Sequence, residues 1–160
     1  MSALVRVLPI AALVLAACNP APKPAAAAVS APVASSAAAL ATMNAFIHFE
    51  NDQFNLSDSA KAMLDDKVAI FRANPGMRIV ITGYASEPGT ADYNFSLGGR
   101  RATAAKEYLV SRGIDASRIE IETRGQGELV LDSPGEVAAA QNRRDEFKLL
   151  VGSGYLVQPK

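Results

Sequence analysis

Histidine and cysteine each occur once in 160 residues, and neither sign of charge is in excess: 16 basic and 16 acidic side chains leave a formal net charge of zero. These shortages exclude a good deal. The lone cysteine, Cys18, cannot form an intramolecular disulfide framework. The lone histidine, His48, has no second imidazole and no neighbouring thiol with which to build a nucleophile pair or a metal cluster. It stands in a strand-like run, where a packed or edge imidazole is the plainer reading. Without net positive charge no field draws the chain to nucleic acid. Gly98-Gly99 and Gly125-Gln126-Gly127 lack the strand-turn-helix setting of a nucleotide loop and read as packing and turn positions. The expectation is a protein without catalysis, metal, cofactor or nucleic-acid partner.

What is present begins with an address. Residues 1–17 carry Arg6 near the start, an apolar run interrupted only by Pro9, and small residues before Cys18. That is the pattern of a secretory signal, too short to span a bilayer as a mature helix. Leu15-Ala16-Ala17-Cys18 resembles the lipobox of bacterial lipoproteins at every position. The resemblance implies that Cys18 is acylated and becomes the mature N-terminus, several acyl chains at about 0.8 kcal/mol per buried methylene giving a firm anchor. The plainer reading is an ordinary secretory peptide with an incidental cysteine. By the same resemblance, Asn19 in place of aspartate implies sorting to the outer membrane. Residues 18–42 are rich in alanine, proline, serine and valine, with prolines at 20, 22, 24 and 32. They read as a semi-extended tether, an alanine-rich helix over 25–41 being the alternative.

From residue 43 to 152 the pattern is that of one folded domain. Ala45-Phe46-Ile47-His48-Phe49 is a short strand closed by Glu50-Asn51-Asp52. Ser57 or Asn55 can cap a helix whose Ala60, Leu64, Val68 and Phe71 recur at helical spacing, stopped by Asn74-Pro75-Gly76. Further strands are expected over 77–84, 119–123 and 145–151. A second helix over 92–112 is expected to end on Gly113 as a left-handed cap, and a short alanine-rich turn to precede the last strand. The order β-α-β-α-β-(α)-β predicts a two-layer α/β sandwich of the α+β type, with helices on one face of a small mixed sheet. Residues 153–160 read as a frayed tail.

One side chain breaks the helical pattern. Leu97, Ala105, Tyr108 and Leu109 define an apolar face on which Arg101 also falls, although 100, 104 and 108 share a face too, so periodicity leaves Arg100 and Arg101 about even. An inward guanidinium offers a rigid fork of donors suited to a carboxylate.

At this point whole motifs become legible. Gly83-Tyr84-Ala85-Ser86-Glu87-Pro88-Gly89-Thr90-Ala91-Asp92-Tyr93-Asn94, followed by Leu97-Gly98-Gly99-Arg100-Arg101-Ala102, resembles the central motif of the OmpA-like peptidoglycan-binding domain family, in wording close to its peptidoglycan-associated lipoprotein branch. Ile47-His48-Phe49-Glu50-Asn51-Asp52, Gly125-Gln126-Gly127 and Asn142-Arg143-Arg144 match earlier and later motifs in order. The resemblance, which runs over residues 45–151, implies non-catalytic binding of the diaminopimelate of the peptidoglycan stem peptide. It implies that Arg101 grips a carboxylate and that the position held by Ser86, an aspartate in the family, receives the ammonium. Glu87 or Asp52 can stand in for that acid, and Phe49, Asn94 and Arg144 complete the implied ligand-binding set. The implied partners are peptidoglycan, the outer membrane through the lipid on Cys18, and a TolB-like periplasmic protein.

Overall fold

The computed structural model describes residues 33–86, 88–151, 156, 157 and 159. Cys18 and the whole signal region lie outside them. Helices α1 (Val33–Asn44), α2 (Asp58–Ala73), α3 (Ala91–Ser111) and α4 (Glu136–Asn142) alternate with strands β1 (Ile47–His48), β2 (Arg78–Tyr84), β3 (Ile119–Gly125) and β4 (Arg144–Val151). The strands form one mixed sheet in the order β1-β4-β2-β3, with β2 and β3 parallel and the other pairs antiparallel. The expected two-layer arrangement is therefore the fold, with α1 added in front of it.

Local chemistry explains the element ends. The amide of Ala60 donates to Ser57 Oγ (3.1 Å) at the start of α2, and that of Tyr93 to Thr90 Oγ1 (3.2 Å) at the start of α3. Gly113 adopts φ 89°, a conformation glycine takes without steric cost, and closes α3. The core lies between the helices and one face of the sheet, where Ile79 and Ile81 of β2, Ile119 of β3 and Phe147 of β4 meet Leu64, Phe71, Ala102, Ala105 and Leu109. The strand period of two sends the alternate residues to the other face.

Both ends of the described chain pack onto the domain. Of the two readings of the tether, the described part takes the helical one from Val33, and this helix packs onto the domain through the buried Ala39 and Met43 rather than standing apart as a spacer. Tertiary contact decides between two conformations that an alanine-rich sequence leaves close in energy. Fastening this helix is Lys67 of α2, fully buried, whose Nζ donates to the main-chain carbonyls of Thr42 (2.6 Å), Met43 (2.9 Å) and Ala45 (2.8 Å) and sits 4.3 Å from the centre of the Phe147 ring. At the other end the tail is not wholly frayed. Leu156 is 1% exposed within the core, and the main chain of Val157 exchanges two hydrogen bonds with the side chain of Asn74.

α3 lies directly on β2. A Cβ on Gly83 would stand 2.0 Å from the carbonyl oxygen of Gly98, so both backbones need glycine there to touch. That contact lowers the next turn of α3, which carries Arg101, towards the carboxyl end of β2.

Candidate functional site

The loops after β1, β2 and β3 and the approach to β4 gather at one end of the sheet, the carboxyl end of the parallel pair, where open α/β sheets place their ligands. An open cleft of about 730 Å³ lies there, lined by Asn51 from the first loop, Ser86 and Pro88 from the second, Gln126 and Leu129 from the third, and Glu136 and Arg143 from the last. A larger groove of about 910 Å³ runs along the exposed side of α3, between Phe54, Arg100 and Tyr108.

Periodicity left two arginines open, and packing separates them. Arg100 is exposed and lies 5.9 Å from the Phe54 ring, whereas Arg101 is fully buried. Its Nε donates to Gln53 O (2.8 Å), one terminal nitrogen to Glu50 O (3.1 Å) and the other to Tyr84 O (3.2 Å), and the guanidinium stacks 5.2 Å from the centre of the Phe49 ring. The planar fork thus ties the loop after β1 to the end of β2, the two segments that deliver Asn51 and Ser86 to the cleft. Main-chain carbonyls thus meet three of its five donors, while the guanidinium itself stays protonated.

The other expected residues divide. Phe49 is buried beneath Arg101, and its amide and carbonyl are both bonded to Arg143 (3.0 and 3.2 Å). Ser86 is half-buried on the cleft wall. Asp52 is exposed in the left-handed region at φ 54°, accepts from the Tyr93 hydroxyl and lines a small adjoining groove with Asn51 and Pro88. Asn94 is buried and donates to Thr90 O and Gln126 Oε1, both at 3.2 Å, joining the start of α3 to the loop after β3. Glu87 lies outside the described residues.

Arg144 is not brought to this cleft. It opens β4 pointing to the outer face of the sheet, with its guanidinium 3.9 Å from the Tyr84 ring centre and 5.7 Å from that of Phe46, donating to Glu146 Oε1 (2.7 Å). Its neighbour Arg143 faces the cleft instead, 3% exposed and paired with Glu136, whose carboxyl it holds below the usual range. The signal for Arg143 was in the Asn142-Arg143-Arg144 motif, but choosing between adjacent arginines needs the register of β4. Asn142 of the same motif has a structural role at this end. Its Oδ1 accepts from the amides of Val130 (2.7 Å) and Leu131 (3.2 Å) while Nδ2 donates to Leu131 O (2.8 Å), fastening the loop that carries Leu129.

Charge elsewhere at the site follows burial. Tyr84 is raised by desolvation and then by Glu146 and Glu128, and His48 is lowered by burial and then by Arg144. Among the described residues no group of histidine, cysteine and carboxylates is arranged to hold a metal ion, and no helix is long and apolar enough to cross a membrane.

Comparison with known proteins agrees with the geometry. The pattern of the OmpA family matches residues 48–143. The chain is 38% identical over 111 residues to a peptidoglycan-associated lipoprotein of Pseudomonas putida, covering 69% of this chain and 66% of that protein. It is 37% identical over 111 residues to the protein of the same name in Pseudomonas aeruginosa, covering 69% and 65%. It therefore spans just under two thirds of the length of these relatives. The crystal structure of the peptidoglycan-associated lipoprotein from Burkholderia pseudomallei superposes with a TM-score of 0.64 at 28% identity, over 66% of this chain and 89% of that one.

Proposed function

The chain belongs to the OmpA family, and from that premise we propose that its domain binds peptidoglycan without cutting it and tethers the outer membrane to the cell wall. The lipid anchor is assigned to Cys18, with the domain facing the periplasm and a TolB-like protein as a further partner. The ligand is the diaminopimelate stem peptide, a group bearing both carboxylate and ammonium. The observation that carries this reading is the position of Arg101. Its permanent charge stands behind the two loops that wall the cleft, where an anion entering from solvent gains from a fixed cation in a surrounding of low polarity. Asn51, Ser86 and Arg143 supply the polar groups at the surface.

Ser86 limits the grip. A hydroxyl accepts a hydrogen bond but brings no charge to the ammonium, which forgoes a carboxylate partner whose charge-assisted bond is worth on the order of 1.5–3 kcal/mol, unless Glu87 or Asp52 takes that role. The same observation favours a second reading, a protein-interaction module with weakened or lost wall binding.

Retention of the purified protein on diaminopimelate-type sacculi separates the two. Retention is expected, Arg101→Ala should abolish it, and Ser86→Asp should tighten it by roughly tenfold or more. Folding of each variant is checked by circular dichroism. Retention unchanged in a folded Arg101→Ala, or weakened by Ser86→Asp, overturns the pocket. No retention of the parent or of Ser86→Asp favours the interaction module. Release of muropeptides by the protein would overturn the non-catalytic reading.

A further inference from the structure

The groove of about 910 Å³ on the exposed side of α3 shares no lining residue with the cleft. Its floor is α3 from Ser96 to Ser111, with Phe54 and Leu56 on one flank and Ile121, on the edge strand β3, on the other. Phe54 and Ile121 are 41% and 43% exposed, so apolar surface stands open on both sides of the helix. At its middle the floor is low. Thr103 and Ala104 are small, and the Thr103 hydroxyl already donates to Gly99 O (2.8 Å). Glycine is unfavourable inside a helix, and nothing else in the domain requires one at position 99. A Cβ there would meet no atom outside its own helix nearer than 3.9 Å, on the Thr123 side chain. Small residues at such a point let a second helix come close.

The charges on this face have their own symmetry. The α3 positions that line the groove are 96, 99, 100, 103, 104, 107, 108 and 111, a spacing that reads the same from either end. Arg100 and Glu107 stand equally far from its midpoint, which falls between Thr103 and Ala104, and the helical period puts both along the centre of the face. Both are exposed, and neither joins an ion pair among the described residues. About 10 Å of helix keeps them from pairing with each other. Turned end for end about a two-fold axis at the midpoint, the face matches itself. Arg100 of each copy then meets Glu107 of the other, and each apolar flank meets its own counterpart.

We propose that this groove is filled by the same face of a second copy of the chain, two α3 helices crossing antiparallel at Thr103 and Ala104 with two interchain pairs between Arg100 and Glu107. A two-fold interface requires a self-complementary patch of this kind. An unrelated partner gives no reason for opposite charges at equal distances from the centre. Where the cleft holds the cell wall, as proposed above, the dimer carries two clefts, and binding at one raises the effective concentration at the other. Pairing itself does not depend on that reading.

Sedimentation equilibrium of the purified chain without ligand tests the proposal. The parent is expected to show a reversible equilibrium of monomer and dimer. Arg100→Glu and Glu107→Arg should each weaken it by roughly tenfold or more, since either change sets two like-charged pairs across the axis. Mixed in equal amounts, the two variants should pair with each other, because every charge contact across the axis then joins opposite signs. Ala104→Cys, close to the axis, should cross-link on oxidation above the background of the parent, whose one cysteine is Cys18. Circular dichroism checks the fold of each variant. A parent that stays monomeric into the millimolar range overturns the proposal and leaves the groove to a different protein. A dimer that both charge changes leave unaltered, or weakened variants that do not recover on mixing, overturns it as well. Failure of the chain to bind sacculi while it still dimerises removes the reading of the cleft and leaves this one standing.

Discussion

Two fully buried cations stand on either side of the short strand β1, and they do the same structural work by different chemistry. Lys67 donates to the carbonyls of Thr42, Met43 and Ala45 just before the strand, and Arg101 to those of Glu50 and Gln53 just after it, with Tyr84 as its third acceptor. Each draws together main-chain carbonyls, adding a charged donor to Thr42 and Glu50, which also accept from the amides of Ala45 and Gln53. Burial lowers the Lys67 ammonium to about 7, so it can shed its charge in the fold, whereas a guanidinium stays charged under any physiological condition. The tether end is thus fastened by a group that titrates, and the cleft end by one that does not. A permanent charge is what an anion site needs, and a fastening for a helix needs only donors.

The strongest way to break that comparison is to remove each cation in turn. Arg101→Met should cost about 3–5 kcal/mol in denaturant unfolding, because several carbonyls and the space of the guanidinium lose their partner together. Amide exchange should rise first in the loops after β1 and β2. Lys67→Met should cost less, on the order of 2–3 kcal/mol, with protection lost mainly in α1 while the cleft loops keep theirs. Equal losses in both regions from either substitution would show that the two ends are not separate units.

Titration sharpens the contrast. The unfolded chain holds the Lys67 proton up to its ordinary 10.5 and the folded chain only to about 7, so between those values the unfolded state binds more protons and stability climbs with pH. That contribution is complete above pH 10.5 and is lost as pH falls through about 7. Unfolding free energies measured from pH 7 to 10 should show a rising slope from this group that Lys67→Met lacks. Asn142→Ala acts at the cleft end alone. It should cost about 1–2 kcal/mol and raise exchange at Val130 and Leu131, leaving α1 untouched. Arg78→Ala is the control remote from both cations. Its pair with Glu120 is short (2.7 Å) but half-exposed on both sides, so a change within about 0.5 kcal/mol is expected.

Much of the scaffold was legible before any coordinates. Periodicity and turn residues placed α2, β2, α3 and β3 to within about two residues, because helix and strand patterns repeat over a few positions and Ser57 and Gly113 announce the start of α2 and the end of α3 locally. The site was legible only as motifs. Ser86, Phe49 and Arg101 could be named from the motifs, but periodicity left Arg100 and Arg101 even, and it is the close rest of Gly98 on Gly83 that separates them physically. The choice of Arg143 over Arg144 required the register in which β4 meets β1 and β2.

By itself, then, the sequence determined the element order, the lone thiol in its lipobox-like setting and the family wording, all of them written in residues that stand close together along the chain. Tertiary structure alone decided that α1 docks, that Leu156 returns to the core, that Arg101 finds acceptors 48 and 51 residues away and that Asp145 is sealed in the sheet opposite Gly83. Hydrogen-bond partners and dielectric surroundings belong to whatever the fold brings near, and no short stretch of chain contains them.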